Sequence, residues 1–136
     1  MSVHNNHRER MRTRYLVEGA DGFSSHELLE MLLYYAVPRG DTNGTAHALI
    51  EQNGGLWGVL QAEREVLELT DGVGERTAML LSLVGDLMRR SAIEQRPVPL
   101  RLNTCKKLRE YLEPYYLGLQ VERVYALLLD NRMHLI

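Results

Sequence analysis

The chain has 136 residues, of which 45% are hydrophobic and 25% charged, with a formal net charge of −2 at pH 7. This composition is typical of a soluble globular protein. No apolar run approaches the roughly 18 residues of a membrane span, and the basic N-terminus lacks the apolar core of a secretory signal. Cys105 is the only cysteine, which excludes an internal disulfide and favours a reducing compartment. We therefore expect a cytoplasmic protein with no membrane partner.

The charge is unevenly distributed. Residues 16–86 hold 12 acidic and 3 basic residues, a local net charge of −9. Two basic stretches flank this region, one with four arginines in residues 8–14 and one with a net charge of +6 in residues 89–109. Basic segments of this kind can contact phosphate. The alternative is that they are solvated faces and a mobile tail.

The first half of the chain predicts short helices. We expect residues 1–14 to be a basic arm, disordered or helical only when docked. Ser24 and Glu27 have the spacing of a capping box, which predicts a helix ended by Pro38. Asp41 or Thr42 can cap a second helix, which Gly54 and Gly55 stop. Further helices are predicted at 56–61, at 63–69 and from Glu75 to about Arg90.

The remainder changes character. The two prolines in residues 96–103 indicate a linker, placed at 93–103. Thr104 can cap a helix to about Leu112, closed by Pro114. Val124–Leu129 then predicts a β-strand and Asp130-Asn131 a turn into another. A strand without partners leaves backbone groups unsatisfied, so residues 104–136 are expected to begin a second, incomplete domain.

The stretch LTDGVGERTA is the strongest candidate site. Two glycines around Val73 permit positive φ and close approach, and a helix starts directly after them, so its first N–H groups lack internal partners. Such donors suit a phosphate oxygen. The candidate backbone-binding residues are Gly72, Val73, Gly74, Glu75, Arg76 and Thr77, with Val73 pinning the turn to the core. A turn that only packs two helices is the competing interpretation, and Asp71 weakens any anion site beside it.

This stretch resembles the helix-hairpin-helix motif, which grips the nucleic-acid backbone. The resemblance is carried by the apolar residues before the turn, by the glycines, and by Thr77 and Ala78. An offset of 34 residues places Leu33 on Leu67 and Leu49 on Leu83, so residues 38–42 would be a degenerate first hairpin. The domain, 15–92, is then interpreted as a mainly α domain of about five short helices, with a pseudo-duplicated pair of such units.

Over nearly its whole length, the chain resembles the amino-terminal part of the RadC family of bacterial proteins, named for DNA repair. The resemblance rests on four stretches: HRERMRTRYL, FSSHELLEMLLYYAVPRGDTN, LTDGVGERTAMLL and VERVYALLLDNRMHLI. It implies a following JAB/MPN domain similar to zinc metalloproteases, of which the chain would hold only the first strands. Glu122 matches the family's upstream Glu, whereas the His-x-His pair and the Asp have no counterpart here. We therefore expect no metal site, no cofactor and no enzyme activity in this chain, with zinc confined to the missing part.

Three functions follow as hypotheses. The first is weak, salt-sensitive binding of duplex or branched DNA through the backbone, without sequence specificity. The second is a structural or protein-interaction appendage to a peptidase-like domain, which the acidic surface favours. The third, a metal-dependent hydrolase, would need the family's absent half. The unfinished strand at 123–136 could also pair with a second copy of the chain.

Overall fold

The computed structural model describes residues 3–95, 100–117 and 122–136, with side chains from residue 6 onward. These ranges form seven α-helices, one 3-10 helix and no named strand, which confirms the expected mainly α class. The α-helices are α1 (Val3–Glu18), α2 (Ser25–Leu33), α3 (Asn43–Asn53), α4 (Leu56–Gln61), α5 (Arg64–Leu67), α6 (Glu75–Glu94) and α7 (Cys105–Tyr116), and the 3-10 helix is Ala20–Gly22.

The chain divides into two compact units, Met1–Leu83 and Val84–Ile136, and α6 contributes residues to both. The first unit has an apolar core to which α2, α3, α4, α5, the turn before α6 and the first turns of α6 all contribute. Its buried members are Leu29, Leu33, Ala46, Leu49, Val59, Leu67, Val73, Ala78 and Leu81. Burial of the leucine and valine side chains among them, at about 1.5–3 kcal/mol each, is the main favourable term in folding the unit.

The basic N-terminal segment is helical and docked, which is the second of the two alternatives predicted for it. α1 continues past Arg14 to Glu18, and it contacts α2 and the 3-10 helix. Met11 is 6% exposed and Arg8 is 7% exposed, so this face of α1 is buried within the first unit. The segment that was predicted to be a separate basic arm is thus part of the first unit.

The predicted capping box forms at the start of α2. The backbone N–H and the side-chain hydroxyl of Ser24 both donate to Glu27 Oε2, at 2.8 and 2.9 Å respectively. The helix ends at Leu33, earlier than the predicted end at Pro38. The N–H groups of Tyr35 and Ala36 bond three residues back, in tight turns. The residue before a proline is disfavoured in the helical region, which explains why the chain leaves the helix before Pro38.

The next helices agree with the sequence analysis. Thr42 is the N-cap residue of α3, and the Asn43 N–H donates to Asp41 Oδ1 at 2.9 Å. Gly54 ends α3 in the left-handed conformation, with φ of 71°. The helix α4 has the predicted bounds, whereas α5 is shorter than the predicted 63–69. The helix α6 begins at Glu75 as expected but continues past the predicted end near Arg90 to Glu94, two residues into the predicted linker.

In the second unit, Thr104 caps α7 by accepting a bond from the Lys107 N–H at 3.2 Å, as predicted. The predicted end of this helix is wrong, because Pro114 lies inside α7, which continues to Tyr116. A proline removes one backbone donor, so in the last turn the loss is confined to a single bond. The Leu117 N–H still bonds to the Glu113 carbonyl at 3.2 Å.

The predicted strand over Val124–Leu129 does not form as a strand. The described residues of this region contain two isolated antiparallel bridges, Arg101 with His134 and Leu129 with Leu135. The turn at Asp130 does form, since the Met133 N–H bonds to the Asp130 carbonyl at 3.0 Å. Short segments offer too few partners for a stable ladder. The central part of the predicted linker, residues 96–99, lies outside the described residues.

Candidate nucleic-acid interface

The candidate site lies in the second hairpin, which we define as α5, the turn 68–74 and α6. The Val73 N–H bonds to the Thr70 carbonyl at 3.0 Å and closes the turn. Gly72 has a φ of 82°, a conformation that residues with a Cβ rarely adopt. A Cβ at this position would lie 2.6 Å from the Thr45 hydroxyl oxygen. The turn therefore needs glycine at position 72 for two separate reasons.

Two neighbours of Gly72 fix the turn to the core. Val73 is 7% exposed and packs with Leu67 and Ala78, which confirms its predicted inward orientation. The Thr70 hydroxyl, on a residue that is 2% exposed, donates to Gln52 Oε1 of α3 at 2.6 Å. These contacts fix the backbone of the turn and thereby position its exposed residues.

Gly74 is the N-cap residue of α6. Its carbonyl accepts bonds from the N–H groups of Thr77 and Ala78, both at 3.0 Å. The N–H groups of Gly74, Glu75 and Arg76 precede the first residue with an intrahelical acceptor, so the helix leaves them without internal partners. No side chain among the described residues accepts a hydrogen bond from them. A Cβ at Gly74 would meet no atom within 4 Å, so the space beside these donors is open.

The structure separates the six candidate residues into two groups. Gly72, Gly74, Glu75 and Arg76 are exposed around the start of α6. Val73 and Thr77 are buried, and Thr77 is only 3% exposed. The Thr77 side chain therefore belongs to the packed side of the helix, and a ligand at the turn would meet the backbone amides and Arg76.

The electrostatics of the turn are mixed. Asp71 and Glu75 are exposed beside Arg76, which gives this turn a net charge of −1 from these three side chains. The positive end of the α6 dipole and its amides oppose that charge, but they are worth only about 0.3–1 kcal/mol at an exposed site. Any anion held here would be bound weakly.

The first hairpin, which we define as α2, the turn 34–42 and α3, matches the second hairpin in a register that the sequence analysis missed. Leu33 and Leu67, both fully buried, end the first helices at the predicted offset of 34. After the turns the offset is 32, because the first turn is two residues longer. Leu83, the predicted counterpart of Leu49, is 53% exposed. At an offset of 32, residues with the same structural role fall on each other. The positive-φ glycine Gly40 pairs with Gly72, and the N-cap residue Thr42 pairs with Gly74. Two pairs of buried residues follow: Ala46 with Ala78, and Leu49 with Leu81.

Sequence reasoning did not find the role of Arg8. Its two terminal nitrogens donate to the carbonyls of Pro38 and Gly40, both at 2.9 Å, and its guanidinium carbon lies 4.6 Å from the centre of the Tyr34 ring. Bonds to residues 30 and 32 positions away leave no local pattern in a sequence. Arg8 thus joins α1 to the turn of the first hairpin.

A second missed feature is the buried carboxylate of Glu30, which is 1% exposed. Its Oε1 accepts from the Tyr34 hydroxyl at 2.9 Å and lies 3.0 Å from His7 Nε2, and its Oε2 accepts from Asn43 Nδ2 at 2.9 Å. Burial and this carboxylate raise the pKa of Tyr34 above its ordinary value. A charged residue inside the apolar run LLEMLLYY is the one sequence signal for this network.

Some arginines of the basic stretch at residues 8–14 form hydrogen bonds within the fold. Arg14 bonds to Glu18 Oε2 at 3.0 Å, to Glu27 Oε1 at 2.9 Å and to the Gly22 carbonyl. The bond from the Ser24 N–H, with the Arg14 bond second, lowers the pKa of Glu27 to about 2. Of the four arginines in residues 8–14, Arg10 and Arg12 are the exposed ones, and Arg12 lies 3.7 Å from Glu9. Fewer charges remain for phosphate than the sequence suggests.

The residues matched to the metalloprotease-like domain are not assembled into a metal site. Glu122 is exposed. His134 instead lies 3.1 Å, through Nδ1, from Asp130 Oδ2, and its N–H bond to Asp130 lowers the pKa of that carboxyl. Among the described residues, no three His, Cys, Asp or Glu side chains lie close enough together to hold a metal ion.

The fold and the turn define a mainly helical protein with two helical hairpins, the second of which ends in α6. Within the described ranges, no helix has the length and apolar character needed to cross a membrane. The chain is similar to a UPF0758 protein of Fusobacterium nucleatum, at 40% identity over 81 residues, which cover 60% of this chain and 35% of the relative. It is also similar to a UPF0758 protein of Rhodobacter capsulatus, at 33% identity over 129 residues, covering 93% of this chain and 59% of the relative.

Both of these relatives carry the family name UPF0758. The matched regions span about a third and about three fifths of the two relatives. No family model matches the chain, and no solved structure matches it.

Proposed function

We propose that this chain binds the nucleic-acid backbone, without sequence specificity, through the second hairpin. The observation that carries the proposal is the start of α6, where open space at Gly74 adjoins amides without internal partners. Backbone N–H groups at a helix N-terminus suit phosphate, and they read no base. The match to the helix-hairpin-helix motif of DNA-binding proteins supports the same function.

The affinity is expected to be low. The local net charge of −9 over residues 16–86 repels DNA, and two of the four arginines in residues 8–14 are bonded within the fold. The remaining positive charge of the first unit comes from exposed arginines, which are Arg10, Arg12, Arg39, Arg64 and Arg76. Each phosphate neutralised contributes about −0.9 to the slope of log affinity against log salt.

Fluorescence anisotropy of labelled duplex and branched DNA tests this function. We expect weak binding at 20 mM salt that is lost by 200 mM and that does not depend on base sequence. If neither DNA bound at the lowest salt concentration, the result would contradict the proposed function.

The second candidate function is an appendage that supports or recruits protein partners. The acidic surface favours it, as do exposed apolar side chains on α6, among them Met79, which is 56% exposed. On this alternative, substitutions at the start of α6 would leave the activity of the longer protein unchanged.

The wider context is also a proposal. Resemblance to the RadC family supports a bacterial, cytoplasmic protein acting in DNA repair or recombination, in which this part precedes a JAB/MPN zinc metallopeptidase-like domain. The chain itself would carry no catalytic activity, and zinc would be held by residues outside it. The segment at 123–136, in which Val124 is 97% exposed, could pair with a second copy of the chain.

A further inference from the structure

The outer side of α5 and of the residues that follow it carries exposed apolar side chains. Val66 is 45% exposed and Leu69 is 82% exposed. Leu67 and Thr70, on the opposite side, are buried. The Leu69 N–H bonds to the Val66 carbonyl at 3.2 Å, and in such a tight turn side chains three residues apart project in the same direction. Val66 and Leu69 therefore form one outward apolar surface, which we call the α5 face.

Acidic side chains surround the α5 face. Glu63, Glu65 and Glu68 are all exposed. Arg64 is the basic residue of this stretch, and its Nη2 lies 3.9 Å from Glu65 Oε1. Three glutamates and one arginine give residues 63–69 a net charge of −2. An apolar surface with an acidic rim fits a partner surface that is apolar with a basic rim.

The exposed side of α1 has that complementary composition. Leu16 is 84% exposed and Val17 is 80% exposed, on a helix whose other side is docked. Arg12 precedes Leu16 by four residues, so these two side chains are neighbours on the helix surface. Arg10 and Val17 line one open groove along α1. Glu9, 3.7 Å from Arg12, offsets one of the two positive charges, so this surface, which we call the α1 face, keeps a net positive charge.

We propose that the α1 face of one copy of this chain docks on the α5 face of a second copy. Both faces belong to the first unit, and their apolar side chains stay exposed there, so the two faces do not cover each other within one chain. Charge selects the pairing, because two α5 faces or two α1 faces would bring like charges together. The contact is small and its charges are exposed, so the association is weak and falls as the salt concentration rises. Neither DNA nor the segment 123–136 takes part in this contact.

Analytical ultracentrifugation of the full 136-residue chain, without DNA, tests this self-association. At low salt the average mass of the wild type should rise with protein concentration, and high salt should abolish the rise. Arg10→Glu with Arg12→Glu should raise the dissociation constant at least about 10-fold, and so should Glu65→Arg with Glu68→Arg, because each pair of substitutions gives both faces the same sign of charge.

A mixture of the two double variants separates this contact from a general effect of charge. Each variant alone has like charges on its two faces, whereas the mixture again offers an α1 face and an α5 face of opposite charge, so association should return. Glu51→Arg with Glu94→Arg is the matched control, since it reverses two exposed glutamates outside both faces and should leave association unchanged. Leu69→Ala, which alters no charge, should weaken association at least about 3-fold.

Circular dichroism establishes that each variant is folded before it is compared. A wild type that stays a single chain at every concentration would overturn the proposal and leave DNA binding by the second hairpin intact. Association that survives in both double variants, or that does not return on mixing them, would also overturn it. The first of these two results would assign self-association to another surface, such as the segment 123–136.

Discussion

The backbone of Gly72 lies so close to Thr45 that a Cβ on residue 72 would be 2.6 Å from the Thr45 hydroxyl oxygen. The turn of the second hairpin and α3 are therefore in contact at a glycine whose φ is also positive. Nothing comparable holds at Gly74, where a Cβ would meet open space. The two glycines of the same short motif thus have different roles, one in packing and one at the exposed start of α6.

Gly72→Ala should destabilise the protein by about 1–3 kcal/mol, because the backbone conformation is strained for alanine and the new methyl group meets Thr45. Gly74→Ala should change the free energy of unfolding by less than about 1 kcal/mol. Urea unfolding of the two variants measures the difference. Equal stabilities would show that the contact with Thr45 is unimportant.

Arg8→Met should lower the free energy of unfolding by about 2–4 kcal/mol, because the carbonyls of Pro38 and Gly40 lose their charged donors. Arg10→Met is the matched control, since Arg10 is exposed on the same helix. Its effect should stay within about 0.5 kcal/mol. Thermal unfolding followed by circular dichroism compares them, and similar losses in both variants would contradict the docking of α1 through Arg8.

Glu30→Gln should destabilise by about 1–3 kcal/mol. The carboxylate accepts from Tyr34 and Asn43 with different oxygens, whereas an amide would place a donor against one of these donors. Glu51→Gln, on the exposed face of α3, should have little effect. If denaturant unfolding gave the same midpoint for Glu30→Gln and the wild type, the network would not contribute to stability.

The capping carboxylate of Glu27 gives a pH dependence. Its pKa is lowered from 4.5 to about 2, first by the Ser24 N–H bond and then by Arg14. A depressed pKa in the folded state means that the contribution to stability is present above about pH 4.5 and is lost as the pH falls toward 2. The stability difference between the wild type and Glu27→Gln should therefore shrink between pH 5 and pH 2, as measured by urea unfolding. A difference that stays constant over that range would contradict the role of the charge.

Local sequence signals gave the parts of the fold that depend on neighbouring residues. The capping box of Ser24 and Glu27, the stop at Gly54 and the Thr104 cap all involve partners within four residues. A local signal also placed the end of α7 too early, at Pro114, because a proline in the last helical turn removes only one hydrogen bond. Local signals also predicted a strand over Val124–Leu129, but the described residues of this region form isolated bridges instead.

Long-range relationships were the part that the sequence could not supply. The clamp of Arg8 on Gly40 joins residues 32 apart, and no periodicity marks it. The offset between the hairpins changes from 34 to 32 within the turn, so a single alignment misassigned the core of α6. At the candidate site, the glycines and Val73 were found from their pattern, whereas the burial of Thr77 required the packing of the helix.

The central claim is most directly tested by the DNA affinity of two substitutions at Gly74, where added atoms meet open space. Asp and Asn are both favoured N-cap residues, so Gly74→Asp and Gly74→Asn should fold with similar stability. They differ in the charge placed at the amides of α6. In low-salt fluorescence anisotropy with duplex DNA, we predict that Gly74→Asp binds at least about 10-fold more weakly than Gly74→Asn, since a phosphate would face a carboxylate already bonded to its donors. Equal affinities of the two variants, at equal stability, would contradict phosphate binding at the start of α6.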